Sequence, residues 1–221
     1  MTDSAKLFAT QGEDLVEKHP SLALQWKEEH PYILGKSLLV DVQGLLLYSY
    51  SIELHHTENF PYLFPVLFET GGELPRNMEW HVYPHTGNCC LKTLPEELIS
   101  CCKGINLNTF YEQEVIPYFF NQLYRKKWGY YYSERSHGVL GDIEFYAELL
   151  KEQDIPKITQ HLRFIAGSKT EPNRTNLCYC GSGKKYRYCH REAYRTLRSL
   201  NPGLLALLLT NLENGLKQAP S

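Results

Sequence analysis

The sequence predicts an α+β protein: a helix, a run of antiparallel strands, further helices, and a small cysteine-rich module at the C-terminal end. Three observations carry this. Apolar residues recur at helical spacing before residue 30, short strand-like segments crowd residues 32–70, and four potential metal ligands, three cysteines and a histidine, fall within thirteen positions after Leu177.

The first segment reads as a helix because Leu7, Phe8, Leu15, Val16, Leu22, Leu24 and Trp26 fall mostly on one face, with an interruption at Pro20. The period then changes. Tyr32–Leu34, Ser37–Val42, Leu45–Leu54 and Phe64–Phe68 are short, rich in leucine, β-branched and aromatic residues, and punctuated by Gly35, Gly44, Pro61 and Pro65, which predicts successive antiparallel strands. Residues 71–107 hold Gly71-Gly72, Pro75, Pro84, Gly87, Pro95 and four cysteines and read as a long irregular stretch, of the kind that carries function. Helices follow over Thr109–Lys127 and Gly138–Gln153. The small polar run at 166–176 reads as a linker, dividing a domain at 1–165 from a C-terminal module at 177–221 whose helical tail breaks at Asn201-Pro202-Gly203.

Composition sets limits on function. The 221 residues are 43% hydrophobic and 22% charged, a globular mix, and 23 Lys+Arg against 25 Asp+Glu leave a net charge of -2, so the chain as a whole does not attract nucleic acid or anionic membrane. The longest aliphatic run, Leu204–Leu209, is too short to span a bilayer, and the first residues lack a charged-then-apolar leader pattern. Seven cysteines, an odd number set in clusters, do not form a spaced disulfide framework. A reducing cytoplasm is the expected compartment, where thiols serve as metal ligands or nucleophiles.

Cys178, Cys180, Cys189 and His190 supply three thiolates and an imidazole, the donor set of a closed tetrahedral zinc site. Gly181 and Gly183 let the chain turn sharply between the pairs, and a segment so short must draw its folding energy from the metal. Between Lys184 and Arg198 six basic residues (Lys184, Lys185, Arg187, Arg191, Arg195, Arg198) accompany one acidic residue, Glu192, with Tyr186 and Tyr188 interleaved and Tyr179 just before them. An acidic protein partner and a nucleic-acid contact both fit that pattern. The stretch from Cys178 to His190, including Gly181, Ser182, Gly183, Lys184, Lys185 and Tyr186, resembles the SEC-C motif, the zinc-binding tail of the preprotein translocase ATPase and of many bacterial proteins. That resemblance implies structural Zn2+ and docking rather than catalysis.

In the central stretch, Phe60-Pro61-Tyr62-Leu63-Phe64-Pro65 leads through Trp80-His81-Val82-Tyr83-Pro84-His85 to Gly87-Asn88-Cys89-Cys90-Leu91. A helix, a strand meander, a proline-flanked turn, a long loop ending in Gly-x-x-Cys-Leu and then further helices resemble the ubiquitin-conjugating enzyme (UBC) fold over residues 1–150, and more closely the divergent prokaryotic UBC-like proteins encoded with conjugation or antiphage systems. The resemblance implies that Cys90 carries a ubiquitin-like modifier as a thioester, received from an activating enzyme and passed to a protein target. Cys89 is its near neighbour. His81 lies close to the place of the family's histidine, whereas Val82 and Tyr83 stand where its oxyanion-stabilising asparagine is expected. The chemistry agrees, since thioester exchange needs a sulfur that is both nucleophile and leaving group. His81, His85, Asn88 and His137 are the groups that could assist it. Two alternatives stay open: a non-catalytic adaptor built on the same fold, and a cysteine hydrolase pairing Cys90 with His137.

Overall fold

Pro20 ends the first helix because a proline ring cannot continue the helical ladder, and the chain that follows turns into a sheet. In the computed structural model, which describes residues 2–218, helix α1 spans Asp3–Lys18, and Leu22–Lys27 is strand β1 rather than the continuation of a helix. Strands β2 (His30–Val40), β3 (Leu46–His55) and β4 (Val66–Glu69) complete a four-stranded antiparallel sheet in the order β1-β2-β3-β4. The two segments expected at 32–34 and 37–42 are thus one strand, which runs through Gly35 instead of stopping there. Pairing sets Leu22 opposite Gly35 and Gly35 opposite Ile52. Gly35 has φ +142°, and a side chain there would collide with the carbonyl oxygen of Ser21. Glycine permits this close approach where another residue would break the strand.

Alternation places Ile33, Ser37 and Leu39 of β2 with Tyr50, Ile52 and Leu54 of β3 on one buried face. Phe8 and Leu15 of α1 belong to the same core. The remaining cover comes from a continuous helical path over α3 (Leu107–Phe110), a wide π turn (Tyr111–Val115) and α4 (Ile116–Trp128). The wide turn precedes Pro117, whose ring nitrogen has no proton for the ladder and whose ring displaces the preceding carbonyls. Tyr111 donates a buried hydrogen bond of 2.9 Å to Ser37 Oγ, and Phe119 stacks on Tyr50 at 4.6 Å.

The chain divides into two compact units, Met1–Lys92 with Lys103–Glu134, and Thr93–Cys102 with Arg135–Ser221. The second unit contains α2 (Leu94–Cys101), α5 (Gly138–Leu150), α6 (Ile155–Gly167), α7 (Arg191–Leu197) and α8 (Pro202–Gln218). Its core joins Tyr146 and Leu150 of α5 and Ile158, Leu162 and Ile165 of α6 to Cys178, Tyr186, Leu197, Leu205 and Leu212. The division expected at 166–176 therefore falls inside this unit, because the apolar faces of α5 and α6 are buried against the C-terminal segment. Residues 168–176 are also pinned down: Tyr194 donates to the Thr170 carbonyl at 3.1 Å, and Glu171 holds Arg195 and Arg191. Helix α2 lies within the stretch expected to be irregular. It starts on a capping box in which Thr93 and Glu96 satisfy one another, with Pro95 in its first turn. Among the described residues no helix is long and apolar enough to cross a membrane.

Replacing Gly35 by alanine is expected to lower the stability of the first unit by on the order of 2 kcal/mol, since both the backbone angle and the Ser21 contact oppose a β-carbon. A urea titration followed by tyrosine fluorescence measures this, and an unchanged midpoint would contradict it.

Candidate metal centre and thiol loop

The C-terminal cysteines are gathered by a tight hairpin. Leu177 and Lys185 pair across an antiparallel bridge, Cys178 N–H donates to the Lys184 carbonyl at 2.8 Å, and Tyr186 N–H donates to the Asn176 carbonyl at 2.9 Å. A short 3-10 turn, Tyr186–Tyr188, then delivers Cys189, and His190 caps the start of α7. The donor atoms of Cys178, Cys180, Cys189 and His190 all lie within 4.8 Å of one another. His190 Nδ1 is 3.4 Å from Cys178 Sγ and 3.2 Å from Cys189 Sγ, and Cys180 Sγ is 3.6 Å from Cys189 Sγ. Tetrahedral zinc, with bonds of about 2.3 Å to sulfur and about 2.0 Å to nitrogen, sets its donors about 3.5–3.8 Å apart. The cluster fits that ion in both donor type and spacing.

The imidazole is oriented from its far side. His190 Nε2 lies 2.8 Å from the Leu150 carbonyl at the end of α5. Donation there puts the proton on Nε2 and turns the Nδ1 lone pair toward the sulfurs, the arrangement that supports metal-bound histidines. Burial pushes the Cys178 thiol up to about 11. Burial also opposes ionisation of Cys180, but hydrogen bonds from the Ser182 hydroxyl and backbone outweigh it and bring that thiol down to about 6.

The basic run is less uniform than its sequence suggests. Glu171, from the expected linker, takes Arg195 through both carboxylate oxygens at 2.8 and 3.0 Å and Arg191 at 3.4 Å. Lys184, Lys185 and Arg187 stay exposed beside Tyr188 and Leu177, two large hydrophobic side chains left in solvent.

In the first unit, Cys90 sits at the end of a loop fastened at both sides. Phe68 pairs with Asn88 and Val82 with Cys89 in isolated bridges, and Cys89 N–H donates to the Leu67 carbonyl at 2.8 Å. Gly87 takes φ +78°, which permits the turn between Tyr83 and Asn88. The two adjacent thiols differ sharply. Cys89 is buried and its thiol is pushed up to about 12 by desolvation, whereas Cys90 is half-exposed, with its N–H donating to the His81 carbonyl at 2.8 Å.

His81 itself has φ +50° and is held by α4 and the segment after it. Three consecutive loop carbonyls are taken by one helix face: Arg125 bonds to Glu79, Gln122 Nε2 donates to Trp80 at 2.9 Å, and Tyr118 donates to His81 at 3.0 Å. The Arg125 guanidinium lies 4.4 Å from the Trp80 ring and 4.7 Å from the Tyr131 ring. The His81 imidazole packs against the Tyr131 edge at 5.0 Å and has Glu134 at 3.8 Å, while a ring nitrogen lies within 4.8 Å of the Cys90 sulfur.

Of the other residues singled out from sequence, His85 is exposed on the loop, and Asn88 accepts a hydrogen bond from Thr86. His137 caps α5 in the second unit, Cys101 is buried in α2, and Cys102 ends that helix. Tyr118, Gln122, Arg125 and Glu134 were not foreseen. The 118–122–125 spacing was the available signal for a polar helix stripe, but only the fold says what it faces. Iodoacetamide is expected to label Cys90 at least tenfold faster than Cys89 in the folded protein, read by peptide mass spectrometry; the reverse preference would overturn the assignment of Cys90 as the accessible thiol.

Comparison with known proteins locates one relationship. The SEC-C motif, a zinc-binding motif, matches residues 174–192, the hairpin that carries all four clustered ligands. No curated protein and no solved structure matches the chain.

Proposed function

We propose that the protein is a UBC-like carrier of a ubiquitin-like modifier, bearing the modifier's C-terminal acyl group as a thioester on Cys90, and that its second unit holds a structural zinc ion and docks a partner. The observation that carries the first half is the division of labour between adjacent thiols. One is buried and protonated, the other stands half-exposed at the rim of a loop braced from both sides. The order of elements supports it: a helix, a four-stranded meander, a proline-rich turn and then the cysteine loop. Thioester loading asks for a reachable sulfur, and transfer onward asks for access by two macromolecules in turn.

Zinc on Cys178, Cys180, Cys189 and His190 is supported by donor type, spacing and the oriented imidazole. The ion contributes folding energy and no chemistry of its own. Docking rests on the exposed Leu177, Lys184, Lys185, Arg187 and Tyr188 on the same hairpin. A second reading, a non-catalytic adaptor, is favoured by one feature: Val82, which stands where the family carries its asparagine, is an apolar side chain packed into the core and offers no amide to an oxyanion.

Incubation with the cognate activating system and its modifier is expected to give a thiol-reducible adduct that Cys89→Ala retains and Cys90→Ala loses. Adduct persisting in Cys90→Ala would remove the assignment, and absence of adduct from the native protein would favour the adaptor. Metal analysis is expected to find about one zinc per chain, reduced severalfold in Cys178→Ser. A metal-free protein with a folded second unit would rule the zinc centre out.

A further inference from the structure

We propose that His81, backed by Glu134, draws the proton from Cys90 and so makes its sulfur nucleophilic. This rests on the reading of Cys90 as the acyl carrier and assigns the proton-handling group of that site. The page of contacts around His81 is specific. A ring nitrogen lies within 4.8 Å of the Cys90 sulfur, a separation that one water or a side-chain rotation closes. Glu134 stands 3.8 Å from Nε2, an ion-pair distance, and His81 is only 14% exposed, so the carboxylate favours a charged imidazole in a partly shielded place.

The backbone is arranged to keep the ring there. His81 holds a left-handed conformation, one that histidine, asparagine and aspartate adopt more readily than other side chains, and its carbonyl accepts from both Tyr118 and the Cys90 N–H. Within the first unit, the charged and titratable groups around the ring include Glu134, the Tyr131 phenol, the Tyr118 hydroxyl on its carbonyl, the Arg125 guanidinium held against Tyr131, and Cys90 itself. A ring whose backbone is fixed on both sides beside a half-exposed thiol is what a built proton acceptor needs.

The step balances simply. His81 takes the thiol proton of Cys90, and the thiolate attacks the carbonyl carbon of an acyl group presented as a thioester. The new carbon–sulfur bond forms at Cys90 while the bond to the donor's sulfur breaks. The donor leaves as a thiolate and receives the proton from the imidazolium. Glu134 is a positioning residue, acting through the ring.

The test needs no modifier. The full-length protein is labelled with iodoacetamide from mildly acidic to alkaline pH, and Cys90 and Cys89 are followed separately by peptide mass spectrometry. Cys90 in the native protein is expected to react with a midpoint below the ordinary thiol value of about 8.5. His81→Asn, chosen because asparagine accepts the left-handed backbone, is expected to raise the midpoint by about one unit and slow labelling at neutral pH about tenfold. Glu134→Gln, at a position where the side chain is 56% exposed, is expected to shift it less in the same direction. Cys89 staying protected reports that the loop is intact. If His81→Asn opens the loop, Glu134→Gln alone decides. A Cys90 profile unmoved by either substitution in the folded protein overturns the proposal. A shifted profile without any adduct from the activating system would sink the carrier reading while leaving the proton relay standing, and adduct formation with an unmoved profile would do the opposite.

Discussion

Three peptide carbonyls in a row, those of Glu79, Trp80 and His81, are each claimed by a different side chain on one face of α4. A loop carbonyl ordinarily turns to water, and a net hydrogen bond contributes only about 1 kcal/mol. Three together do more than add, because they fix successive peptide planes and leave the segment no soft torsion to relax through. His81 is thereby held in the left-handed region, which histidine tolerates better than most side chains. Its carbonyl, once oriented by Tyr118, becomes the acceptor for the Cys90 N–H. The placement of the Cys90 sulfur is thus a consequence of helix α4, some thirty residues further along the chain than the sulfur it positions.

The second unit shows a similar dependence on a distant carbonyl. A cysteine–histidine hairpin of this length lacks the apolar residues for a core, yet Cys178 and Tyr186 are buried members of a cluster that also contains α5, α6, α7 and α8. The Leu150 carbonyl, free of the ladder at the end of α5, is the group that orients His190. The ligands and the helices therefore support one another: the helices bury the cluster and set its imidazole, and the cluster ties the chain after α6 to the chain before α7. The cluster is thereby coupled to the packing of the whole unit rather than to the hairpin alone.

How much could be read from the chain alone follows from how local each feature is. The clustering of Cys178, Cys180, Cys189 and His190 is legible because all four lie in thirteen positions and their donor chemistry is restrictive. The sheet is legible in outline from alternation in Leu45–Leu54, but Gly35, which reads as a strand end, marks a close approach within a strand. Proline misleads at one point. Pro95, read as part of an irregular stretch, stands in the first turn of α2 behind the Thr93 cap, where its missing N–H costs nothing. The pairing of His81 with Glu134 spans fifty-three positions and leaves no periodic trace, so only the folded chain reveals it.

The vicinal cysteines illustrate why a bridge into a sheet can create reactivity without any special residue. In extended backbone, successive side chains point to opposite sides. The bridge of Cys89 to Val82, with its N–H on the Leu67 carbonyl, fixes the extended geometry at that position and turns one sulfur into the core. The next residue must then face outward, and the Cys90 N–H bond to His81 holds it there. Desolvation raises the inner thiol to about 12, where it is inert at neutral pH, and its side chain serves as an anchor. A one-residue slip in the bridge would exchange the two environments, burying Cys90 and exposing Cys89. The register of a single isolated bridge, and not the identity of either cysteine, is what decides which sulfur can react.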